Sequence, residues 1–200
     1  MNKEQFIPIY TTIEKKEIEE EEVLEVIKAK EKEDIFDANT YALLKGTEFH
    51  NGMIEVDVLS RLLPDAPDFA RGFIGVAFRT SENNDSFECF YVRPTNGREC
   101  NDHERKQRGV QYFTYPKYTF SYYREKGITD YEAPAPYIAL DEWIHLRILV
   151  HDQFAAFYVG EDSAPAISVE LKYGDTRGGI GLYVDTGTLG YFKNLKITNE

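Results

Sequence analysis

The sequence predicts an all-β protein, an antiparallel two-sheet sandwich of jelly-roll type. From residue 39 onward, short segments alternate apolar and polar residues, and turn residues interrupt them about every 8–12 positions. No segment keeps a helical period for more than about two turns. Roughly a dozen strands without helices can bury their apolar faces only by stacking two sheets against each other.

Length and composition fit a single domain. The chain has 200 residues, of which 42% are hydrophobic and 29% charged, values typical of a globular protein. We predict a charged N-terminal arm with the first strand or strands over residues 1–34, and the jelly-roll sandwich over residues 35–200. Within the arm, an acidic run leads into a β-favouring segment around Val23, Leu24 and Val26. We interpret this run as a solvated edge, with an acidic docking tail as the functional alternative.

The charge balance excludes some classes of partner. A formal net charge of -12 repels a phosphate backbone, so neither nucleic acid nor an anionic membrane surface is expected to bind. No apolar run approaches the roughly 18 residues of a membrane span, and MNKEQFIPIY lacks the apolar core of a secretory signal. The chain as given is therefore expected in the cytoplasm, with secretion left open for a trimmed mature form. The oligomeric state is not determined by the sequence.

Period-two patterns place the strands in order. GMIEVDVLS directs Ile54, Val56 and Val58 to one face and Glu55 and Asp57 to the other. GFIGVAFR and FECFYVR follow, and GVQYFTYPKYTFSYYR predicts two strands around the Tyr115-Pro116 step. The series is completed by WIHLRILV, QFAAFYVG, AISVELK, GGIGLYVD and YFKNLKIT.

One strand carries an irregularity. The apolar period of the last segment breaks between Phe192 and Leu195, which predicts a β-bulge near Lys193 and Asn194.

The last sixty residues, from WIHLRILV to GYFKNLKI, resemble the C-terminal half of concanavalin A-like lectin/glucanase domains. The shared pattern is a strand led by Trp, a Gly-Ile-Gly-Leu strand and a closing YFKNLKI strand. FHNGMIEVDV and RGFIGVAFR also resemble this superfamily, including its laminin G-like and 3-keto-disaccharide hydrolase domains. The similarity covers roughly residues 40 to 198. It implies a jelly-roll sandwich and a saccharide partner, but the fold hosts lectins, glycosidases and adhesion modules alike.

The resemblance also allows a test for catalysis. Retaining glucanases of this superfamily carry two glutamates and an intervening aspartate on one strand, because one carboxyl attacks the sugar while the other donates a proton. Glu55 and Asp57 match the first two positions, but Leu59 stands at the third. By this resemblance Glu55 would be a nucleophile without its acid partner, so the alternative is two solvated carboxylates. Whether the protein is an enzyme stays open, leaning towards no, with the weak catalytic candidates Glu88, Asp102 and Glu132.

Guanidinium groups and tyrosine rings suggest a ligand-binding surface. If the central strands are neighbours, Arg79, Tyr91, Arg93 and Tyr112 converge, and such a set can hydrogen-bond hydroxyls or a carboxylate and stack on a sugar ring. The alternative is that the arginines pair with nearby acids and have a structural role. The full predicted ligand-binding set is Arg79, Tyr91, Arg93, Gln111, Tyr112, Tyr123 and Tyr131. The polar loop TNGRECNDHERKQRG is long enough to indicate a functional role as well.

No metal site and no cofactor are predicted. Calcium stays open, with oxygen ligands available from Asp65, Asp68, Asn83, Asn84 and Asp85 but without a regular spacing. Cys89 and Cys100 are expected to be unpaired thiols, with a disulfide as the alternative.

The function predicted from these observations is a carbohydrate-recognition domain of the concanavalin A-like type without clear catalytic residues. A glycoside hydrolase or related carbohydrate-cleaving enzyme and a laminin G-like protein-interaction module are the alternatives.

Overall fold

The computed structural model describes residues 1–200 and contains fourteen β-strands in two sheets. In chain order the strands are β1 (Phe6–Ile9), β2 (Thr11–Ile18), β3 (Glu21–Lys28), β4 (Tyr41–Leu44), β5 (Gly52–Leu62), β6 (Ile74–Thr80), β7 (Phe87–Val92), β8 (Val110–Tyr115), β9 (Glu132–Ala133), β10 (Ile144–His151), β11 (Phe154–Val159), β12 (Ile167–Glu170), β13 (Gly179–Val184) and β14 (Thr188–Asn199). Two short helices, α1 (His103–Lys106) and α2 (Phe120–Lys126), lie between β7 and β9. No helix is both long and apolar enough to cross a bilayer.

Each sheet has seven antiparallel strands. Sheet I has the order β1-β4-β13-β6-β7-β8-β9, and sheet II has the order β12-β11-β10-β5-β14-β3-β2. The non-sequential neighbours show that the chain crosses repeatedly between the sheets, as in a jelly roll. The predicted all-β sandwich is therefore confirmed.

The main core lies between the two sheets. Ile54, Val56 and Val58 of β5 are buried there, as their alternation predicts. At the centre of the core Phe157 of sheet II stacks on Phe90 of sheet I, with ring centroids 4.3 Å apart. The predicted bulge is also confirmed, since the register of β14 against β5 shifts between Lys193 and Lys196.

Sheet I is buried on its outer face as well. A second apolar cluster, with members Tyr41, Ala77, Phe87, Cys89, Tyr91, Phe113, Tyr123 and Tyr183, covers that face. Strands β6 and β7 are consequently buried at every position. The open surface of phenol rings suggested by the sequence is instead a second core, because rings on this face pack against α2 and its flanking loops.

The prediction of a second strand after Tyr115-Pro116 is wrong. The chain makes a turn that brings Tyr118 back to pair with Thr114, and then forms α2. Alternation predicted the wrong element because the same residues also suit a helix, in which Phe120 and Arg124 lie at i, i+4 with the guanidinium 4.7 Å from the ring centroid. The apolar outer face of sheet I decides between the two, since α2 covers it with Tyr123.

The N-terminal residues contribute strands to both sheets. Strand β1 forms the edge of sheet I, and the β2–β3 hairpin forms the edge of sheet II. Val23, Leu24 and Val26 of β3 are buried, whereas the charged residues of β2 face solvent.

Candidate functional site

A pocket at one end of sheet I gathers five arginines. It has a volume of about 230 Å³ and is built from six segments of the chain. We call it the arginine pocket, and its lining is Phe36, Asp37, Phe69, Arg71, Phe73, Tyr91, Arg93, Asn96, Arg105, Arg108, Phe120, Arg124 and Asp185. Five arginines in one pocket are unusual in this protein, because the whole chain carries a net charge of -12.

Aromatic rings form one wall of the arginine pocket. Phe36 and Phe69, from the loops before β4 and β6, meet edge to face with centroids 5.0 Å apart. They are 43% and 45% exposed, although phenylalanine is usually buried. The guanidinium of Arg124 lies over the ring of Phe120 in α2, 4.7 Å from the ring centroid.

Arg93 forms the floor and is held by neighbours on every side. Its Nη2 donates to the Tyr91 hydroxyl at 3.0 Å and to Gln111 Oε1 at 2.8 Å. Its Nη1 donates to Glu132 Oε1 at 3.0 Å and to the Arg108 carbonyl at 3.2 Å. Arg93 therefore orients the pocket and has few donor positions left for a ligand.

Two arginines have no carboxylate partner. Arg71 donates through Nη1 to the carbonyls of Asp68 and Ala70. Arg105 of α1 donates through Nε to Asn96 Oδ1 and through Nη2 to the Thr95 carbonyl and hydroxyl. These bonds leave Nε and Nη2 of Arg71 and Nη1 of Arg105 without a protein acceptor.

The remaining arginines share one acid. Glu132 lies 3.7 Å from Arg108 Nε and 3.5 Å from Arg124 Nη2, in addition to its bond with Arg93. Arg108 also has the highly exposed Glu104 at 3.8 Å. Even with Glu132, Glu104 and Asp37 fully ionised, the pocket keeps two positive charges in excess, because Asp185 is neutralised by Lys28 at 2.6 Å.

Burial and neighbouring positive charges lower the pKa values of two arginines of the pocket. Burial, followed by the charges of Arg105 and Arg93, lowers the pKa of Arg71. Burial also lowers the pKa of Arg124, the charge of Glu132 opposes this shift, and the charges of Arg108 and Arg93 add smaller lowering effects. The pocket is thus a partly buried, electropositive concavity, which favours an anion.

Asp37 is the acid of the pocket floor. Its backbone N–H donates to Asp185 Oδ2 at 2.9 Å, and its own Oδ2 accepts from the backbone N–H of Phe120. Burial, together with the nearby charge of Asp185, raises the pKa of Asp37 to about 7. It connects the loop before β4 to the start of α2, and can hold or release a proton near neutral pH.

The sheet divides the predicted ligand-binding cluster. Tyr91 pairs with Gln111 on the outer face of sheet I, beside Arg93, so these three lie together at the pocket. Tyr112 pairs with Phe90 and belongs to the core between the sheets, where its hydroxyl donates to Glu88 Oε2 at 2.6 Å. The expectation that Tyr112 shares a surface with Tyr91 is therefore corrected. Gln111 lies opposite Tyr91, and Tyr112, the next residue of the same strand, faces the other side of the sheet.

Arg79 is also placed away from the pocket. Its side chain is fully buried and donates to the carbonyls of His50 and Asp152, each at 2.7 Å, and of Gly174 at 2.8 Å. It ties together three loops through their backbone carbonyls, whereas the structural alternative expected it to pair with nearby acids.

Tyr123 and Tyr131 stack on one another, with centroids 4.6 Å apart, and neither lines the arginine pocket. Tyr123 is 3% exposed, while Tyr131 is half-buried and its hydroxyl accepts a hydrogen bond from Lys172. A ligand role for either ring stays a prediction.

The candidate acids do not share a site. Glu88 is fully buried between the sheets, Asp102 caps the exposed N-terminus of α1, and Glu132 lies among the arginines. Glu55 and Asp57 lie on the outer face of sheet II beside His145, whose Nδ1 is 2.7 Å from Asp57 Oδ1.

No group of three or more His, Cys, Asp or Glu side chains is arranged to hold a metal ion. Calcium binding through Asp65, Asp68, Asn83, Asn84 or Asp85 stays a prediction. Cys89 and Cys100 are both buried and unpaired.

Several pocket residues were missed by the sequence reasoning. The long polar loop is predicted to be functional, and it supplies Arg105 and Arg108 to the pocket lining. Phe36, Phe69 and Arg71 gave no local signal, since single rings and charges in turn-rich segments are common. These residues can be assigned to a site only in the folded structure, where they line one pocket.

The fold is that of lectin-like β-sandwiches. The structure is similar to a carbohydrate-binding module, CBM66, from Bacillus subtilis, with a TM-score of 0.60 and 14% identity over 96% of this chain and 93% of that chain. It is also similar to a protein from Parabacteroides distasonis provisionally described as a glycosyl hydrolase (TM-score 0.56, 15% identity, 98% and 99% coverage). A Bacillus subtilis protein of unknown function with a galectin-like fold gives a TM-score of 0.54 at 10% identity over 94% of this chain and 87% of that chain.

No protein-family model matches the sequence, and no curated protein does. At such low identities the structural likeness concerns the fold.

Proposed function

We propose that the protein is a carbohydrate-recognition domain whose binding site is the arginine pocket. The observation that carries the proposal is the pair of half-exposed rings, Phe36 and Phe69, beside guanidinium donors at the mouth of a concave pocket. A sugar presents an apolar ring face and polar hydroxyls, so it needs an aromatic surface and adjacent hydrogen-bond donors. The likeness to a carbohydrate-binding module supports the same class of ligand.

The test is calorimetric titration with a panel of neutral and acidic monosaccharide glycosides. We expect Phe69→Ala to weaken binding about tenfold, because it removes a stacking surface worth roughly 0.5–1.5 kcal/mol beyond its buried area. Phe154→Ala is the matched control, since Phe154 is 55% exposed on sheet II and outside the pocket. Equal losses for both variants, or no affinity for any saccharide, would contradict the proposal.

A second candidate is cleavage of a glycosidic bond in the same pocket, with Asp37 as the proton donor. The observation that favours it is the pair of Asp37 and Asp185, in which burial and mutual charge raise the pKa of Asp37 to about 7 while Lys28 neutralises Asp185. Such a carboxyl is partly protonated at neutral pH, as a general acid must be. Asp37→Asn should abolish turnover of an alkyl glycoside or disaccharide that the wild type cleaves, because its leaving-group oxygen must be protonated as water attacks the anomeric carbon, while saccharide binding is retained. Absence of hydrolysis by the wild type would eliminate this candidate.

A further inference from the structure

We propose that the saccharide bound in the arginine pocket carries an oxyanion, as a carboxylate or a sulfate ester, and that Arg71 and Arg105 bind this group. The inference rests on the proposed function and adds the chemical class of the ligand and the residues that select it.

The first step is the distribution of partners among the five arginines. Arg93 uses both terminal nitrogens on protein acceptors, and Arg108 and Arg124 share Glu132. Arg71 and Arg105 bond only to neutral oxygens of Asp68, Ala70, Asn96 and Thr95. The two guanidiniums that make no ion pair therefore face the same cavity.

The second step is the cost of this arrangement. Part-buried cations that repel each other destabilise the fold unless an anion offsets the repulsion. The chain has 35 acidic residues against 23 basic ones, so acids to neutralise the pair are abundant. None forms an ion pair within 4 Å of the Arg71 or Arg105 guanidinium, whose hydrogen bonds go to neutral oxygens, and this is the arrangement of a site whose anion arrives with the ligand.

The third step is the shape of the donors. A guanidinium presents a planar fork that matches a carboxylate or sulfate with two parallel hydrogen bonds. Arg71 has Nε and Nη2 available and Arg105 has Nη1. Neutral hydroxyls would not need two unpaired cations.

The fourth step is size. The pocket volume of about 230 Å³ lies below the roughly 300–1,000 Å³ of pockets that enclose drug-sized ligands. It therefore accommodates a single sugar residue, with its ring against Phe36 and Phe69 and its anionic substituent towards the arginines.

The experiment compares charged and neutral forms of the same sugars. Methyl glucuronide, methyl galacturonide, glucose 6-sulfate and N-acetylneuraminate are titrated against methyl glucoside, methyl galactoside and inorganic sulfate at neutral pH and low salt. We expect at least one anionic sugar to bind about 30-fold or more tightly than its neutral counterpart, with an advantage that falls as salt is raised. Carboxylated and sulfated ligands are thereby distinguished from each other.

The variants separate this inference from the proposed function. Arg71→Gln and Arg105→Gln should each weaken binding of the anionic sugar about tenfold more than binding of its neutral counterpart, because glutamine keeps a hydrogen-bond donor for hydroxyls and removes only the charge. The retained neutral binding shows that the pocket is still folded. Arg98→Gln is the control, because Arg98 is exposed, pairs with Glu142 and lies outside the pocket.

Two results would overturn the inference in distinguishable ways. Equal affinity for each charged and neutral pair, unchanged in Arg71→Gln and Arg105→Gln, would refute anion selection and leave saccharide binding intact. Binding of inorganic sulfate alone, with no affinity for any sugar, would refute the proposed function and with it the anionic saccharide.

Discussion

Individual buried polar residues hold this protein together at places where an apolar core would be expected. Glu88 is fully buried, accepts from the Tyr112 hydroxyl at 2.6 Å and from the Tyr173 backbone N–H at 2.9 Å, and faces Arg79 and Lys172. Burial raises the pKa of Glu88 to about 7 despite these partners. Its alternation within β7 indicates which face it lies on, but not that this face is closed to water.

Glu88 makes stability depend on pH. The unfolded carboxyl ionises near 4.5 and the folded one near 7, so the folded state binds more protons between these values and stability falls as pH rises through that window. The slope reaches about 1.4 kcal/mol per pH unit for one group. Asp37, which faces Asp185, Arg93 and Tyr91, adds a contribution of the same sign.

Glu88→Gln should therefore flatten the decline in urea-unfolding free energy between pH 5 and pH 8. Glu48→Gln, at an exposed ion pair with Arg177, is the control and should leave the curve unchanged in shape. Parallel curves for wild type and Glu88→Gln would show that Glu88 titrates equally in both states.

Among the elements, α2 connects the second core to the pocket. It places Tyr123 against the outer face of sheet I, and Phe120 and Arg124 in the lining of the arginine pocket. The backbone N–H of Phe120 donates to Asp37, which fixes the start of the helix. Gly127 ends the helix in the left-handed conformation, with φ +65°.

Gly127→Ala should destabilise the protein by about 1 kcal/mol, because a Cβ is unfavourable in that backbone conformation. No heavy atom lies within 4 Å of the added Cβ, so a steric clash contributes nothing. Gly127→Asn is the matched variant and should cost less, since asparagine tolerates left-handed conformations. Urea unfolding measures both, and an alanine variant as stable as wild type would contradict the assignment of the cap.

Across the whole molecule, one buried ion pair joins the two sheets. Lys28 ends β3 in sheet II, and Asp185 follows β13 in sheet I, with 2.6 Å between Nζ and Oδ1. Lys28 also donates to the Ile35 carbonyl and the Thr186 hydroxyl, so every proton of its ammonium is bonded. The same aspartate holds Asp37, and therefore the pocket depends on the link between the sheets.

Lys28→Met should cost about 3–5 kcal/mol of unfolding free energy, because it leaves a buried carboxylate without its partner. Lys15→Met removes an exposed pair with Glu22 and should cost no more than about 1 kcal/mol. Similar losses for the two variants in urea unfolding would mean that the buried pair contributes no more than a surface one.

The alternation of side chains by itself determined the sandwich, the inward face of β5 and the bulge in β14, because a period of two is a property of each strand alone. It also singled out Tyr91 and Arg93, which lie at the pocket. Only the tertiary structure decided that both faces of sheet I are covered, that residues 120–126 form a helix, and that Tyr112 and Arg79 are buried away from the pocket. It also decided that Phe36, Phe69, Arg71 and Arg124 meet, since loops from distant parts of the chain come together only when the sheets have stacked.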